Sequence, residues 1–503
     1  MEMKLVNRYI VVTYATINEK TRFPMTQKIT AQVSEIKPIL ASLNDADGLL
    51  SEWQSVFELS RIGKVGRRVK TRPGYLYERM YMVALMRIMM SVYSIKFYFS
   101  RKLEASDAYS QNAFYRDMSD PHANWRRQLH SLNRQIASVH DQSAAYDDRR
   151  ATRRTTALVI DDTISRHCGK DMEGSSQVHD HTDNTRPRGY KLLVQSWYNG
   201  SNMRVTDFCA VRESVKPTPY TREDDMGCPA MVRKRELDQS KIALSVAMLK
   251  RAHAEGLNPD YVLVDSWFTV PDLINAVKEI WQGETHFLGM LRMDLKRKLS
   301  VNGKATNLDE LRKSLKKKGL MHKCRCFGSA YMAAECEIPG IGRVKLFFSR
   351  MGRRGTWKVL LTTNLDLSYI EAMRVYAIRW GIEVLFRECK ELLGLDKCQC
   401  RQFNSQIAHW TMVFSAHALL TTERHARDCR SLGELFRNTK ESFDQQALAE
   451  RLIAMFEQIL VKIADQFGGA DNVSLAELME SQAYKEFKDL LQLSSVRFHQ
   501  FRQ

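Results

Sequence analysis

No run in this sequence stays apolar for the roughly 20 residues that a membrane-spanning helix needs. The first residues also lack the basic segment, apolar stretch and small-residue cleavage site of a secretory leader. Both absences lead us to expect a protein of the cytoplasm with no membrane partner. Cysteines in Cys-x-x-Cys spacing are missing as well. The ten cysteines are scattered, and the pairs Cys324/Cys326 and Cys398/Cys400 are closer together than structural zinc ligands normally stand. Reduced thiols are expected, rather than a disulfide framework. Negative charge is in short supply, with 58 Asp and Glu against 76 Lys and Arg, a formal net charge of +18. Such a balance favours a polyanionic partner, nucleic acid first.

What the chain does have is bulk and order. Its 503 residues are 44% hydrophobic, enough for two or more packed domains. Residues 1–145 read as mainly helical. Arg61 to Arg72 packs six basic residues and two glycines into twelve positions, a loop able to follow a phosphate backbone. Ser110–Arg116 and Asn124–Arg127 set basic side chains beside aromatics on two short predicted helices, a shape that lets one helix enter a major groove. A charged linker, Asp147 to Arg154, then marks a boundary.

Beyond the linker, two apolar runs end in acids. Thr156-Ala-Leu-Val-Ile160 reads as a buried strand and leads into Asp161-Asp162-Thr163. Tyr261-Val-Leu-Val264 reads as another and leads into Asp265-Ser-Trp-Phe268, before Pro271 opens a helix. Carboxylates at the carboxyl ends of buried strands stand where α/β sheets gather their chemistry, although acids there can also simply cap the strand exit. Between the two runs, Tyr190–Trp197 and Met203–Phe208 flank Asn199-Gly200 as a hairpin. Residues 286–362 have strand character and carry Arg292, Lys296, Arg297, Lys298 and the basic run Arg312–Lys318.

A third acid lies on a predicted amphipathic helix, Arg374 to Leu395, closed near Gly394. Tyr376, Arg379, Glu383 and Lys390 fall 0, 3, 7 and 14 residues along it. At about 100° per residue those offsets keep all four within roughly 60° of one another. A carboxylate among an aromatic hydroxyl, a guanidinium and an ammonium suits a site holding a metal on one side and phosphates on the other. A solvated helix face is the plainer alternative.

The spacing Tyr, two residues, Arg, three residues, Glu, six residues, Lys resembles the signature of the insertion-sequence 4 family of DDE transposases. The resemblance implies an RNase H-like α/β catalytic core at 146–425 with a β-rich insertion at 286–362. A helical DNA-binding region at 1–145 would precede it; the helical region at 426–503 could pair two subunits or equally finish a helical bundle within one chain. It implies a carboxylate triad of Asp265 and Glu383 with Asp162, because the family's first Asp stands directly before a Thr; Asp161 is held in reserve. Those acids would bind Mg²⁺, with Mn²⁺ able to substitute. Tyr376, Arg379 and Lys390 would contact phosphates, and Trp357 is the nearest candidate for stacking a flipped base. The implied activity is cleavage at transposon ends and strand transfer into target double-stranded DNA by a synaptic homodimer, near the nucleoid of a prokaryotic cell. Two other classes remain: an RNase H-like nuclease that does not join strands, and a DNA-binding protein that has lost its chemistry.

Overall fold

The computed structural model describes residues 77–440, apart from 90, 101–109, 139–145, 148–151, 170, 181–182, 214–226, 295–297, 353 and 427–428. All of them belong to the compact unit Leu50–Phe443. The basic loop at Arg61–Arg72, and the C-terminal region beyond residue 440, lie outside the described residues.

Among the described residues, four helices come first: α1 (Tyr77–Met89), α2 (Ile95–Ser100), α3 (Gln111–Ser119) and α4 (Trp125–Ile136). The sequence starts α3 and α4 where expected, because Ser110 Oγ and Asn124 Oδ1 accept the backbone N–H of Ala113 and Arg127 and so cap them. A small ladder follows, β1 (Tyr146–Asp147) with β2 (Thr152–Arg153).

The main sheet begins with β3 (Ala157–Arg166), β4 (Ser176–Gln177), β5 (Arg188–Tyr198) and β6 (Met203–Val211). Next come α5 (Pro229–Glu236), α6 (Lys241–Ala254), β7 (Tyr261–Val264), α7 (Pro271–Ile280) and β8 (His286–Leu291). β3 runs antiparallel to β5 and parallel to β7, and β7 runs parallel to β8, which gives a mixed sheet. The expected hairpin forms between β5 and β6. Five further strands, β9 (Lys298–Val301), β10 (Lys304–Asn307), β11 (His322–Cys324), β12 (Ser329–Ile338) and β13 (Gly342–Met351), with α8 (Leu308–Lys317) after β10, lead to β14 (Lys358–Thr362). β14 pairs antiparallel with β8, so these strands extend the same twelve-stranded sheet. The architecture is the mixed α/β one expected, consistent with an RNase H-like core.

Side-chain alternation divides the faces of this sheet. Leu158, Ile160, Val262 and Val264 join Leu244, Met248 and Leu249 of α6 and Leu273, Ile274 and Val277 of α7 in one core. The opposite face carries Phe208, whose ring meets Trp410 and Phe414 of the long helix α11 (Phe403–Ala426). The N-terminal helices α1, α3 and α4 also pack on α11. Arg126 on α4, read from the sequence as a basic group beside aromatics, is turned inward: it donates to Asp207 of β6 at 2.9 Å and to Glu236 of α5 at 2.8 Å. It is a structural tie.

The predicted helix Arg374 to Leu395 is corrected to two helices, α9 (Tyr369–Ala377) and α10 (Trp380–Glu391). Ile378 and Arg379 keep right-handed helical dihedrals between them. The amides of Ile378, Arg379, Gly381 and Ile382 each bond a carbonyl three residues back, so the joint is a tightened 3₁₀-like turn. Gly394, at φ +66°, closes the far end, and the amide of Leu395 reaches back to the Cys389 carbonyl. No helix among the described residues is long and apolar enough to cross a membrane, and all ten cysteines are free thiols.

Candidate active site

β3 continues through both of its acids to Arg166, whereas its pairing with β7 stops at Ile160 opposite Val264. Asp161 therefore follows Ile160 as Asp265 follows Val264. Residues abreast on neighbouring strands point to one face, so Asp161 and Asp265 share the α10 face and Asp162 points to the α6 face. The side-chain contacts agree with this division.

Asp161 Oδ2 accepts from Arg379 Nη1 at 2.9 Å, and Arg379 Nη2 donates to Glu383 Oε1 at 2.6 Å. One guanidinium thus spans the strand acid and the helix acid, with its carbon 5.8 Å from the centre of the Tyr376 ring. Burial, helped by the charges of Asp265 and Asp162, pushes the Asp161 carboxyl up to about 7, although the Asp162 amide and Arg379 pull the other way. Burial likewise pushes the Tyr376 hydroxyl up to about 12.

Asp265 sits at the start of a tight loop. Its Oδ1 accepts the amides of Trp267 at 2.8 Å and Phe268 at 3.2 Å, and its carbonyl accepts from Thr269 Oγ1 at 2.9 Å. Gly289 on β8 makes room for that loop: a Cβ there would lie 2.5 Å from Thr269 Oγ1 and 2.9 Å from Val264 Cγ2. On the other face, Asp162 Oδ2 accepts from Lys241 Nζ at 2.5 Å.

The structure thus brings together Asp161, Asp265, Arg379, Glu383 and Tyr376. Asp162, which the resemblance selects, lies on the opposite face from Asp265. Lys390, at the far end of α10, has Asp396, Asp180 and Arg166 as its charged neighbours, and burial lowers its ammonium. Trp357 is half-buried against the core beneath β12 to β14, with the guanidinium of Arg350 5.0 Å and that of Arg312 5.8 Å from its ring. Sequence reasoning missed Lys241 and two exposed aromatics, Trp267 beside Asp265 and Trp380 beside Arg379. Trp267 two positions after Asp265 and Trp380 three positions before Glu383 were the available signal.

Two family models match the chain: one described as a transposase DDE domain covers residues 235–419, and one described as a DDE superfamily endonuclease covers residues 110–282. The chain carries a DDE transposase domain. No curated protein matches it. The two matched segments together include every acid described above, so the geometry can be read in the domain's terms. DDE transposases act on DNA and generally use divalent metals. The donors here are carboxylate oxygens, the hard ligands that Mg²⁺ prefers. Asp161 is raised chiefly by burial and also by the nearby charges of Asp265 and Asp162, and such a gathering of acids also fits a divalent cation. Among the described residues, however, no three acidic, His or Cys side chains stand close enough to hold a metal ion. Asp161 and Glu383 are tied by Arg379 and Asp162 by Lys241, whereas Asp265 is held by backbone amides.

Proposed function

We propose that the chain is a transposase of the insertion-sequence 4 type, cutting DNA at transposon ends and joining the freed ends to target DNA. The observation that carries this reading is the β3–β7 register, which sets Asp161 abreast of Asp265 on the face where Arg379 links to Glu383. Asp161, Asp265 and Glu383 would hold Mg²⁺, or Mn²⁺ in its place. When bound there, the ion would activate the attacking water or 3′-hydroxyl and stabilise charge on the leaving oxygen. Asp161 takes the position that the resemblance gave to Asp162, because a ligand set must share one face of the sheet.

Arg379 has the donors to clamp a phosphate once it leaves the carboxylates, and its planar fork suits that task. Tyr376, its hydroxyl kept protonated by burial, donates to a second phosphate oxygen. Lys390 serves phosphates farther along the strand. Trp357 stands with Arg312 and Arg350 on the extended sheet, a surface suited to the DNA backbone beyond the cut. A synaptic homodimer on two ends completes the assembly.

The test uses the purified chain, Mg²⁺ and a duplex from the genomic sequence flanking its coding region. Glu383→Gln should abolish cleavage and leave duplex binding within a few-fold. Asp161→Asn should lower turnover more than Asp162→Asn. Equal activity of Glu383→Gln and parent removes Glu383 from the site, and the opposite ranking of the two Asp variants returns the ligand role to Asp162. One family match is described as an endonuclease, which favours a second reading, cleavage without joining. Incubating a pre-cut end with supercoiled plasmid separates the two, since a nuclease alone gives nicks and no joined product.

A further inference from the structure

Lys241 is the first residue of α6, and no acidic residue stands in that helix's first turn. A cation there meets the positive end of the helix dipole, so the position does not favour lysine for the helix's own sake. Its side chain nevertheless has a defined place. Nζ donates to Asp162 Oδ2 at 2.5 Å and lies 4.0 Å from the centre of the Trp267 ring and 5.8 Å from that of Phe268. Trp267 is 38% exposed and follows Asp265 by two residues, so the ammonium is held at the rim of the acid cluster, from the face opposite Arg379. An ammonium has three N–H donors, and one carboxylate takes one of them.

We propose that Lys241 is a DNA-contacting residue whose ammonium binds a phosphate oxygen of the strand entering the cleft, with Asp162 and Trp267 as the positioning residues that hold it extended. The signature's own ammonium, Lys390, lies at the far end of α10 among Asp396, Asp180 and Arg166. In this arrangement the strand is gripped by cations from both faces of the sheet, Arg379 on one side and Lys241 on the other. Asp162 then has a role that does not require it to reach the metal.

The inference rests on the cleavage site proposed above, and the test keeps the two apart. Affinity for the flanking-sequence duplex is measured against salt concentration in EDTA, so that no metal takes part, for the parent and for Lys241→Gln, Lys241→Arg, Trp267→Leu and Arg379→Ala. Lys241→Gln should lower the slope of log affinity against log salt by about 0.9, the value for one phosphate contact on duplex DNA. Lys241→Arg should restore it. Trp267→Leu, which keeps the charge and removes its platform, should weaken binding several-fold. It also supplies the decisive comparison should Lys241→Gln fail to fold. If Arg379→Ala lowers the slope while the Lys241 and Trp267 variants bind as the parent does, the site stands and the Lys241 assignment falls. If none of the variants changes binding, the site reading falls and takes Lys241 with it.

Discussion

Asp161 ties the chemistry of the site to pH. Its carboxyl is raised from the usual 3.8 to about 7, chiefly by burial. A group that holds its proton more tightly in the folded than in the unfolded state favours folding most below its unfolded value. That advantage is lost as pH rises through the folded value. In EDTA, the stability of the parent relative to Asp161→Asn should therefore fall between about pH 4 and pH 7 and level off above it. Melting curves across that range check this, and a constant difference would show that Asp161 titrates normally. If Asp161 holds Mg²⁺ as proposed, the ion would displace the same proton, and its binding should strengthen as pH rises to about 7 in the parent. Which of Asp161 and Asp162 shares a face with Asp265 was not legible in the sequence. Neighbours on a strand always point to opposite faces, but only the register with β7 tells which face holds the partner acid. Arg126 was misread for a similar reason, since its partners lie 81 and 110 residues away.

At the scale of elements, the apolar runs before Asp161 and Asp265 were legible because β-branched and aliphatic residues bounded by acids have few other readings. The caps of α3 and α4 were legible through Ser110 and Asn124. The joint at Ile378–Arg379 was not, because neither residue is a helix breaker and both keep helical dihedrals while the hydrogen bonds shorten by one residue. Angular projection survives that joint over one turn, as the Arg379–Glu383 bond shows, whereas Lys390 has different charged neighbours. The Asp265 loop depends on an element that contributes no chemistry. Gly289→Ala places a Cβ against Thr269 and Val264 and should cost about 1–3 kcal/mol by overpacking, with cleavage falling along with stability. Chemical denaturation of the variant measures it; parent-like stability would mean that the loop yields freely.

For the molecule as a whole, helices on both sides of the charged linker share one unit with the sheet. Arg126 is the clearest tie, because Asp207 is buried and held well below the usual carboxylate range by the charges of Arg126 and Arg251. Arg126→Ala leaves a buried acid short of a partner and should cost roughly 3–5 kcal/mol. Hydrogen exchange should then rise in α4 and β6 together; a rise confined to α4 would mean that the helical part unfolds independently.

The sheet itself has a geometric consequence. From β3, which carries Asp161, to β10 there are seven steps between hydrogen-bonded neighbours. Neighbouring strands are rotated by roughly 20–25° in a constant sense, so seven steps add up to about 140–175°. The sheet surface beside Asp161 has turned almost over by the far edge. DNA that keeps to this one face cannot lie straight across it; it follows a winding path, and its contacts move around the duplex with distance from the cut.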